Sequence, residues 1–321
     1  MKNASFIHCF LLTGYLAMAT TLFSQKKESY YDYQWKPSKP SEARFYSTVE
    51  KTDSGWLRQD YFIGTRSLQM KAVYEDEECK KQNGWYAYFH PNGMLSSTGR
   101  RLHGKREGLC LKFHSNGFVA DSGLFLQDRP VDIRLRWFPN GMLADSLNYL
   151  NDSMHIQLSW YDDGSISEAG YWLNDNKYGK WKYYHKNNNP AGEEIFDRQG
   201  KMVSSIYYHE DGTELKDTSK ANREARFRKG GIDGWTNYLY RNLEWPRGYE
   251  FIDGDNATVV VSFVINEEGK PENVEITVPF FPEFDKIALS VVENSPTWEP
   301  ALKNNRRVKS YFQQPVTFFQ R

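Results

Sequence analysis

The phrase Phe138-Pro139-Asn140-Gly141-Met142-Leu143 constrains this chain more than any other stretch, because the chain repeats it. His90-Pro91-Asn92-Gly93-Met94-Leu95 nearly copies it, and His114-Ser115-Asn116-Gly117-Phe118-Val119 is a looser version. Tyr161-Asp162-Asp163-Gly164-Ser165-Ile166 and His209-Glu210-Asp211-Gly212 continue the series. The first four glycines step by 24, 24 and 23 residues; the 48 from Gly164 to Gly212 are two further steps, with Asn188 at the middle one. A fixed period of this size marks a repeat architecture.

The register around the turn is tighter than the glycines alone. Four residues before each turn position stand Phe89, Phe113, Trp137, Trp160, Tyr184 and Tyr208, all aromatic. Two residues earlier come Ala87, Leu111, Leu135, Leu158, Lys182 and Ile206, and two earlier again Trp85, Leu109, Ile133 and Ile156. Apolar residues at every second position predict strands that bury this face. Asn-Gly and Asp-Gly supply the positive φ of a tight hairpin turn. Each repeat therefore reads as a β-hairpin that buries its aromatic against the next one.

The length of 321 residues allows about two domains. Basic and acidic residues are equal at 41 each, which speaks against nucleic-acid binding. Aromatics at 16% with only 39% apolar residues suit thin sheets better than a thick core. Residues 1–25 read as a signal peptide: Lys2, an apolar run from Phe6 to Phe23, then Ser24 as a small residue for cleavage. The rival reading is an uncleaved anchor, since that run of 18 residues approaches membrane-spanning length. His8, Thr13, Gly14, Thr20 and Thr21 interrupt it, so cleavage is preferred. Export leaves Cys79 and Cys110, at different repeat positions, which we read as two unpaired thiols.

Residues 26–46 lack the period and read as an extended lead-in; repeats are expected over 47–215. Gly84-Trp85-Tyr86-Ala87-Tyr88-Phe89-His90-Pro91-Asn92-Gly93 and Gly179-Lys180-Trp181-Lys182-Tyr183-Tyr184 resemble the bacterial variant of the MORN-type repeat. That resemblance implies a scaffold and interaction surface. Val131-Asp132-Ile133 and Met154-His155-Ile156 depart from it by lacking the glycine that opens the strand. His90, His114, His185 and His209 share one slot, three residues before the turn position. As a metal ladder they fail, because equivalent residues two strands apart lie ~9.5 Å apart and metal ligands lie only ~2 Å from the ion. The slot is expected to hold a flat ring at a partly wet rim. No nucleophile elbow, zinc-binding helix or phosphate loop appears, and Asp162-Asp163 and Glu193-Glu194 read as solvated loops. No enzyme, cofactor or metal is expected.

The beat stops after Leu215. Residues 216–226 read as a linker or short helix, and 227–321 as a second domain. Ile232, Trp235, Tyr238 and Leu239 recur at helical spacing; Val259 to Ile265 and Val274 to Val278 form a hairpin; Phe284, Ile287, Ala288, Val291 and Val292 make a second helix; Val308 to Phe319 is a last strand. The fold class is α+β: an all-β repeat array, then an α-β-β-α-β domain. Asn242-Leu243-Glu244-Trp245-Pro246, Val261 to Gly269, Pro296-Thr297-Trp298-Glu299-Pro300-Ala301 and Pro315-Val316-Thr317-Phe318 make this domain similar to the TonB carboxy-terminal domain.

What that resemblance implies is a periplasmic module whose final strand takes an extended peptide from an outer-membrane transporter by β-augmentation. The role falls on Lys309, Ser310, Tyr311, Phe312, Gln313 and Gln314, with Trp245 and Pro246 as a nearby contact. Ala257 and Asn304-Asn305-Arg306-Arg307 depart from the family's glycines. The expectation is a non-enzymatic envelope protein of a Gram-negative bacterium, exported to the periplasm or outer-membrane surface, whose repeats are a spacer presenting the docking domain. Membrane association would come only through partners or an uncleaved leader. The alternative is an envelope scaffold that uses both parts as binding modules.

Overall fold

The computed structural model describes residues 27–251 and 256–320; the stretch read as a signal peptide lies outside the described residues. Fifteen strands come first: β1 (Lys27–Tyr31), β2 (Phe45–Thr52), β3 (Gly55–Phe62), β4 (Leu68–Tyr74), β5 (Gln82–Phe89), β6 (Leu95–Leu102), β7 (Lys105–Phe113) and β8 (Val119–Leu126). They continue as β9 (Arg129–Trp137), β10 (Leu143–Tyr149), β11 (Met154–Trp160), β12 (Ile166–Leu173), β13 (Asn176–Tyr184), β14 (Pro190–Phe196) and β15 (Met202–Tyr207). All fifteen pair antiparallel, in chain order, in one sheet. The sheet reaches back to Lys27, so the stretch read as a lead-in supplies β1 and the start of β2.

Two kinds of turn alternate along it. Gly93, Gly117 and Gly141 take φ of 83°, 87° and 84° and donate to the carbonyls of His90, His114 and Phe138. At the opposite ends of the strands, Gln127-Asp128 and Asn174-Asp175 turn with both φ positive and no glycine at all, the primed geometry of tight hairpins. Directly after each turn of this type the register slips by one residue, at Ser96, Ala120, Ala144, Ser167, Ala191 and Val203. A bulge in every repeat bends and twists the strands in the same sense.

The repeats bury the face opposite to the one expected. Trp85 is 68% exposed, and Leu109, Ile133 and Leu158 are exposed with it, whereas Tyr86, Cys110, Trp181 and Tyr183 are buried. Alternation separates two faces but does not say which one another element will cover. Because paired residues share a face, one inner row can be followed from Asp60 through Met70, Tyr88, Ser97, Lys112 and Asp121. It runs on through Arg136, Asp145, Ser159, Glu168, Tyr183 and Gly192 to Tyr207. Small residues make room for rings in this layer: a Cβ on Gly170 would overlap the Trp181 indole.

The histidine slot is a seam between repeats. Nε2 of His90, His114 and His185 lies 2.9, 2.8 and 2.9 Å from the carbonyls of Phe113, Trp137 and Tyr208, each 23 residues on. Since a carbonyl only accepts, each Nε2 carries the proton and donates. Tyr161 does the same with its hydroxyl to Tyr184 at 2.8 Å. His185 is buried rather than at a wet rim. Asn92, Asn116 and Asn140 add a second stitch, donating to the next repeat's turn while accepting from their own.

After a short 3-10 turn (Thr218–Lys220) come β16 (Arg226–Phe227), α1 (Gly231–Asn242), β17 (Asn256–Ile265), β18 (Pro271–Val278) and α2 (Pro282–Glu293). Then follow β19 (Trp298–Glu299), β20 (Ala301–Lys303), β21 (Arg306–Val308) and β22 (Ser310–Phe319). The expected linker is pinned, since Arg223 and Leu302 exchange backbone hydrogen bonds. Helix α1 presents Trp235 and Leu239 one turn apart, and α2 presents Phe284, Ala288, Val291 and Val292, to a core built on Val259, Val261, Phe263 and Val316. The sheet order is β18-β17-β22. The last segment, expected as one strand, breaks at Lys309: β21 pairs with β20, and β22 with β17. Asn304 and Asn305, both at positive φ, turn the β20–β21 hairpin in place of glycine.

Candidate docking edge

Strand β22 pairs with β17 over ten consecutive residues without a bulge. Among the described residues nothing pairs with its other edge. Pro315 tells which amides face that edge. Proline survives inside a sheet where its missing N–H points to the open side, and N–H directions alternate along a strand. Tyr311, Gln313 and Thr317 therefore aim their amides outward, while Phe312, Gln314 and Val316 bond to β17.

The side chains alternate as well. Phe312 stacks on Phe263 with centroids 5.2 Å apart, and Gln314 accepts a 2.8 Å hydrogen bond from the Trp235 indole; both face the helices. On the other side Tyr311 is 74% exposed, with Gln313, Pro315 and Phe319 also exposed. Ser310 begins the strand opposite Ile265. Lys309 is already engaged: its ammonium contacts Asp162 of the array at 2.7 Å and Glu272 of β18, and lies 5.6 Å from the Phe138 ring centre. Burial opposes its charge, but the two carboxylates outweigh burial and hold its pKa above the ordinary lysine value.

Trp245 and Pro246 are not brought to this stretch. Pro246 is buried, and the Trp245 ring sits edge-on to Phe284 and Phe251 with its N–H on the Tyr249 carbonyl. Phe284 in turn packs on Phe318, six residues along β22 from Phe312 and so roughly 20 Å away. These two residues belong to the aromatic core at the far end of the strand.

Sequence reading missed the contacts between the two parts of the chain. At one end of the array Phe45 and Phe62 pack on Val260 and Val278. There Arg44, buried, lies 3.9 Å over the Phe280 ring, and Gly64 lets the chain touch the Phe280 carbonyl. At the other end the β20–β21 hairpin enters the inner face. Arg306, 2% exposed, donates to the Ser167 carbonyl at 2.7 Å and pairs with Glu168 at 2.7 Å, its guanidinium 4.8 Å over Tyr183. Burial pushes the Glu168 carboxyl up and the Arg306 charge outweighs it, leaving its pKa below the ordinary value. Asn304 donates to Glu194, which also accepts from Tyr183 and Tyr207. Glu194 is thus a buried strand residue, not the solvated loop expected of it. The one available signal was the Asn304-Asn305-Arg306-Arg307 run standing where the TonB-like pattern has glycine.

No group of three His, Cys, Asp or Glu side chains among the described residues is placed to hold a metal, and Cys79 and Cys110 are free thiols. No helix among the described residues is long and apolar enough to cross a membrane.

Residues 253–319 match the family described as Gram-negative bacterial TonB protein C-terminal, about a fifth of the chain. The match covers β17, β18, α2 and β22 but none of the array. No curated protein matches the chain. The solved structure titled "Crystal Structure of TarM" is similar to 26% of this chain at 12% identity, with a TM-score of 0.20. The chain covers 16% of that protein's length, and a likeness so slight carries no argument.

Proposed function

We propose that this chain is a non-enzymatic cell-envelope protein whose TonB-like domain takes an extended peptide of an outer-membrane transporter onto the free edge of β22. The array, a MORN-type scaffold in this reading, holds that domain in a fixed pose instead of acting as a distant spacer. One observation carries the proposal. The array covers the helix-free face of β17 and β18, through Val260 and Val278, yet leaves β22 exposed at Tyr311, Gln313 and Pro315. An unpaired, unbulged edge is the feature natural proteins normally shield, and it is what β-augmentation uses. The match over 253–319 supports the partner class. Export to the periplasm or outer-membrane surface is part of the same proposal, supported by the apolar run from Phe6 to Phe23.

A second reading, an envelope scaffold without a transport role, draws support from the anchors at Arg44 and Arg306, which bind the domain to the array at both ends. The test titrates transporter amino-terminal peptides into the full chain. Gln313→Pro removes an outward donor without touching the β17 ladder and should weaken binding markedly, while Gln313→Ala should leave it nearly intact. Binding as tight to Gln313→Pro as to wild type defeats the edge model, and binding to no transporter peptide favours the scaffold.

A further inference from the structure

Between the two anchors, the inner face of β4 to β9 holds an open groove of about 870 Å³, within the usual range for ligand sites. Its charges are unbalanced. Arg101, Arg106, Lys112 and Arg134 line it against Asp121 and Asp128. Arg134 is paired to Asp121 and Arg106 to Asp128, at 3.0 Å for the latter. No ion pair joins Arg101 or Lys112 to a carboxylate among the described residues.

The imbalance is built into the strand register. Arg101 and Arg106 are direct cross-strand partners on β6 and β7, an arrangement in which like charges repel. Arg101 donates to the Gly104 carbonyl and lies 5.6 Å over the Tyr86 ring, while its Nε is buried with no partner. Gln69, the extra residue of the β4 bulge, has a side-chain oxygen in the same condition, and it too lines the groove. The corresponding bulge residues further on are Ser96, Ala120, Ala144, Ser167, Ala191 and Val203, none of which carries an amide side chain. The groove thus combines surplus positive charge, an unsatisfied guanidinium donor and an unsatisfied amide acceptor.

We propose that this groove binds the acidic side chains of an extended peptide, with Arg101, Arg106 and Lys112 taking carboxylates and Gln69 accepting a peptide N–H. A carboxylate between Arg101 and Arg106 cancels their repulsion and draws the flexible Arg101 side chain into a paired position. A peptide fits better than a compact anion because the inner row continues from the groove through Arg136 and Asp145, and the array meets the start of β22 where Lys309 contacts Asp162 and the Phe138 ring. The site rests on the edge reading for the source of its ligand, an acidic stretch of the peptide that pairs with β22.

The experiment is calorimetric titration of the full chain with synthetic hexaglutamate, hexaglutamine and inorganic phosphate at matched ionic strength. Hexaglutamate should bind saturably and hexaglutamine should not. Arg101→Gln should weaken hexaglutamate binding about tenfold, a usual loss for one strong charge contact, and Lys112→Gln by less. Lys112→Gln should leave the melting temperature unchanged, and Arg101→Gln should lower it only by the loss of the Gly104 hydrogen bond and the Tyr86 contact. Gln313→Pro should leave hexaglutamate binding unchanged while weakening that of transporter peptides, which keep their groove contact. Hexaglutamate binding indifferent to Arg101→Gln overturns the groove and leaves the edge reading standing. Phosphate competing as well as hexaglutamate overturns the assignment to a peptide. Loss of transporter-peptide binding to wild type, with hexaglutamate still bound and sensitive to Arg101→Gln, overturns the edge reading alone.

Discussion

The two parts of the chain solve the burial problem differently. The carboxy-terminal domain packs two helices on a three-stranded sheet, and its central strand β17 is buried along nearly its whole length. The array is one layer thick, so either face is covered only where something else lies on it. Its outer face carries exposed Trp85, Leu109, Leu124 and Ile133. Its inner face is held by tyrosines, tryptophans and paired charges, and is most deeply buried around Met70 and Ala72 and near the Arg306 hairpin. The difference teaches that in a single-layer repeat the hydrophobic pattern does not identify the inside; the docking partner does.

The largest effect should come from testing that rule on two tryptophans of the array. Trp181 is 0% exposed and lies in the packed inner layer with Tyr183 and Ala191. Trp181→Ala should cost ~3–5 kcal/mol, the usual loss for an emptied aromatic site. Trp85→Ala should stay within ~0.5 kcal/mol, as for other open surface positions. Chemical denaturation of both variants decides it. Equal losses would mean that the outer face is covered in solution.

Next in size is the joint between the parts. Arg306→Ala leaves Glu168 buried without its partner and should cost ~3 kcal/mol. The double variant Arg306→Met with Glu168→Gln should recover most of that. Arg44 at the other anchor hydrogen-bonds only carbonyls beside the Phe280 ring, and burial lowers its pKa to about 10 against the Asp285 and Asp32 charges. Arg44→Met should therefore be far milder. Denaturation curves for the three variants, with a thermodynamic cycle at Arg306–Glu168, test the contrast; a milder Arg306→Ala than Arg44→Met would reverse the roles of the anchors.

Inside the small domain, Asp285 gives a pH signature of its own. Burial raises its pKa from 3.8 to about 6, against the Phe280 N–H it accepts from and the Arg44 charge. Between those values the folded state holds a proton that the unfolded state has lost. Its contribution is therefore full below pH ~4, falls as pH rises toward ~6, and is flat above. Asp285→Asn keeps an oxygen for the Phe280 N–H and removes this slope, so the variant should gain on wild type from pH 4 to 6 and stay ahead at pH 7. Melting temperatures of both proteins across pH 4–8 measure it. A gap that does not widen from pH 4 to 6 would place Asp285 in water.

The repeats were legible in the sequence because period and turn chemistry are local: the Asn-Gly turns and the strand alternation read directly from spacing. The small domain was legible through Trp235, the Val259 to Ile265 strand and the Phe284 helix, whose periods differ. What escaped was non-local. Nothing in spacing says that Arg306 will seek Glu168, 138 residues away in sequence, or that Glu194 will be covered. Turns such as Gln127-Asp128 escaped because they achieve positive φ without glycine. Trp245 was placed beside the docking edge by motif order alone, whereas packing drew it into the Phe284 cluster.

The smallest effect concerns the histidine seam, where the array itself contains the control. Among equivalent slots, His90, His114 and His185 donate to the next repeat's carbonyl, while Phe138 fills the same place and has no donor to offer. The seam therefore tolerates a ring without a hydrogen bond, and the bond should be worth about 1 kcal/mol or less, the usual net value for a neutral pair. His114→Phe should lose only that bond. His114→Ala should lose the bond and the ring packing, so its cost should be larger yet well below that of Trp181→Ala. Urea denaturation of the two variants gives the order. If His114→Phe costs as much as His114→Ala, the hydrogen bond rather than the ring holds adjacent repeats together, and Phe138 would mark the weakest seam of the array.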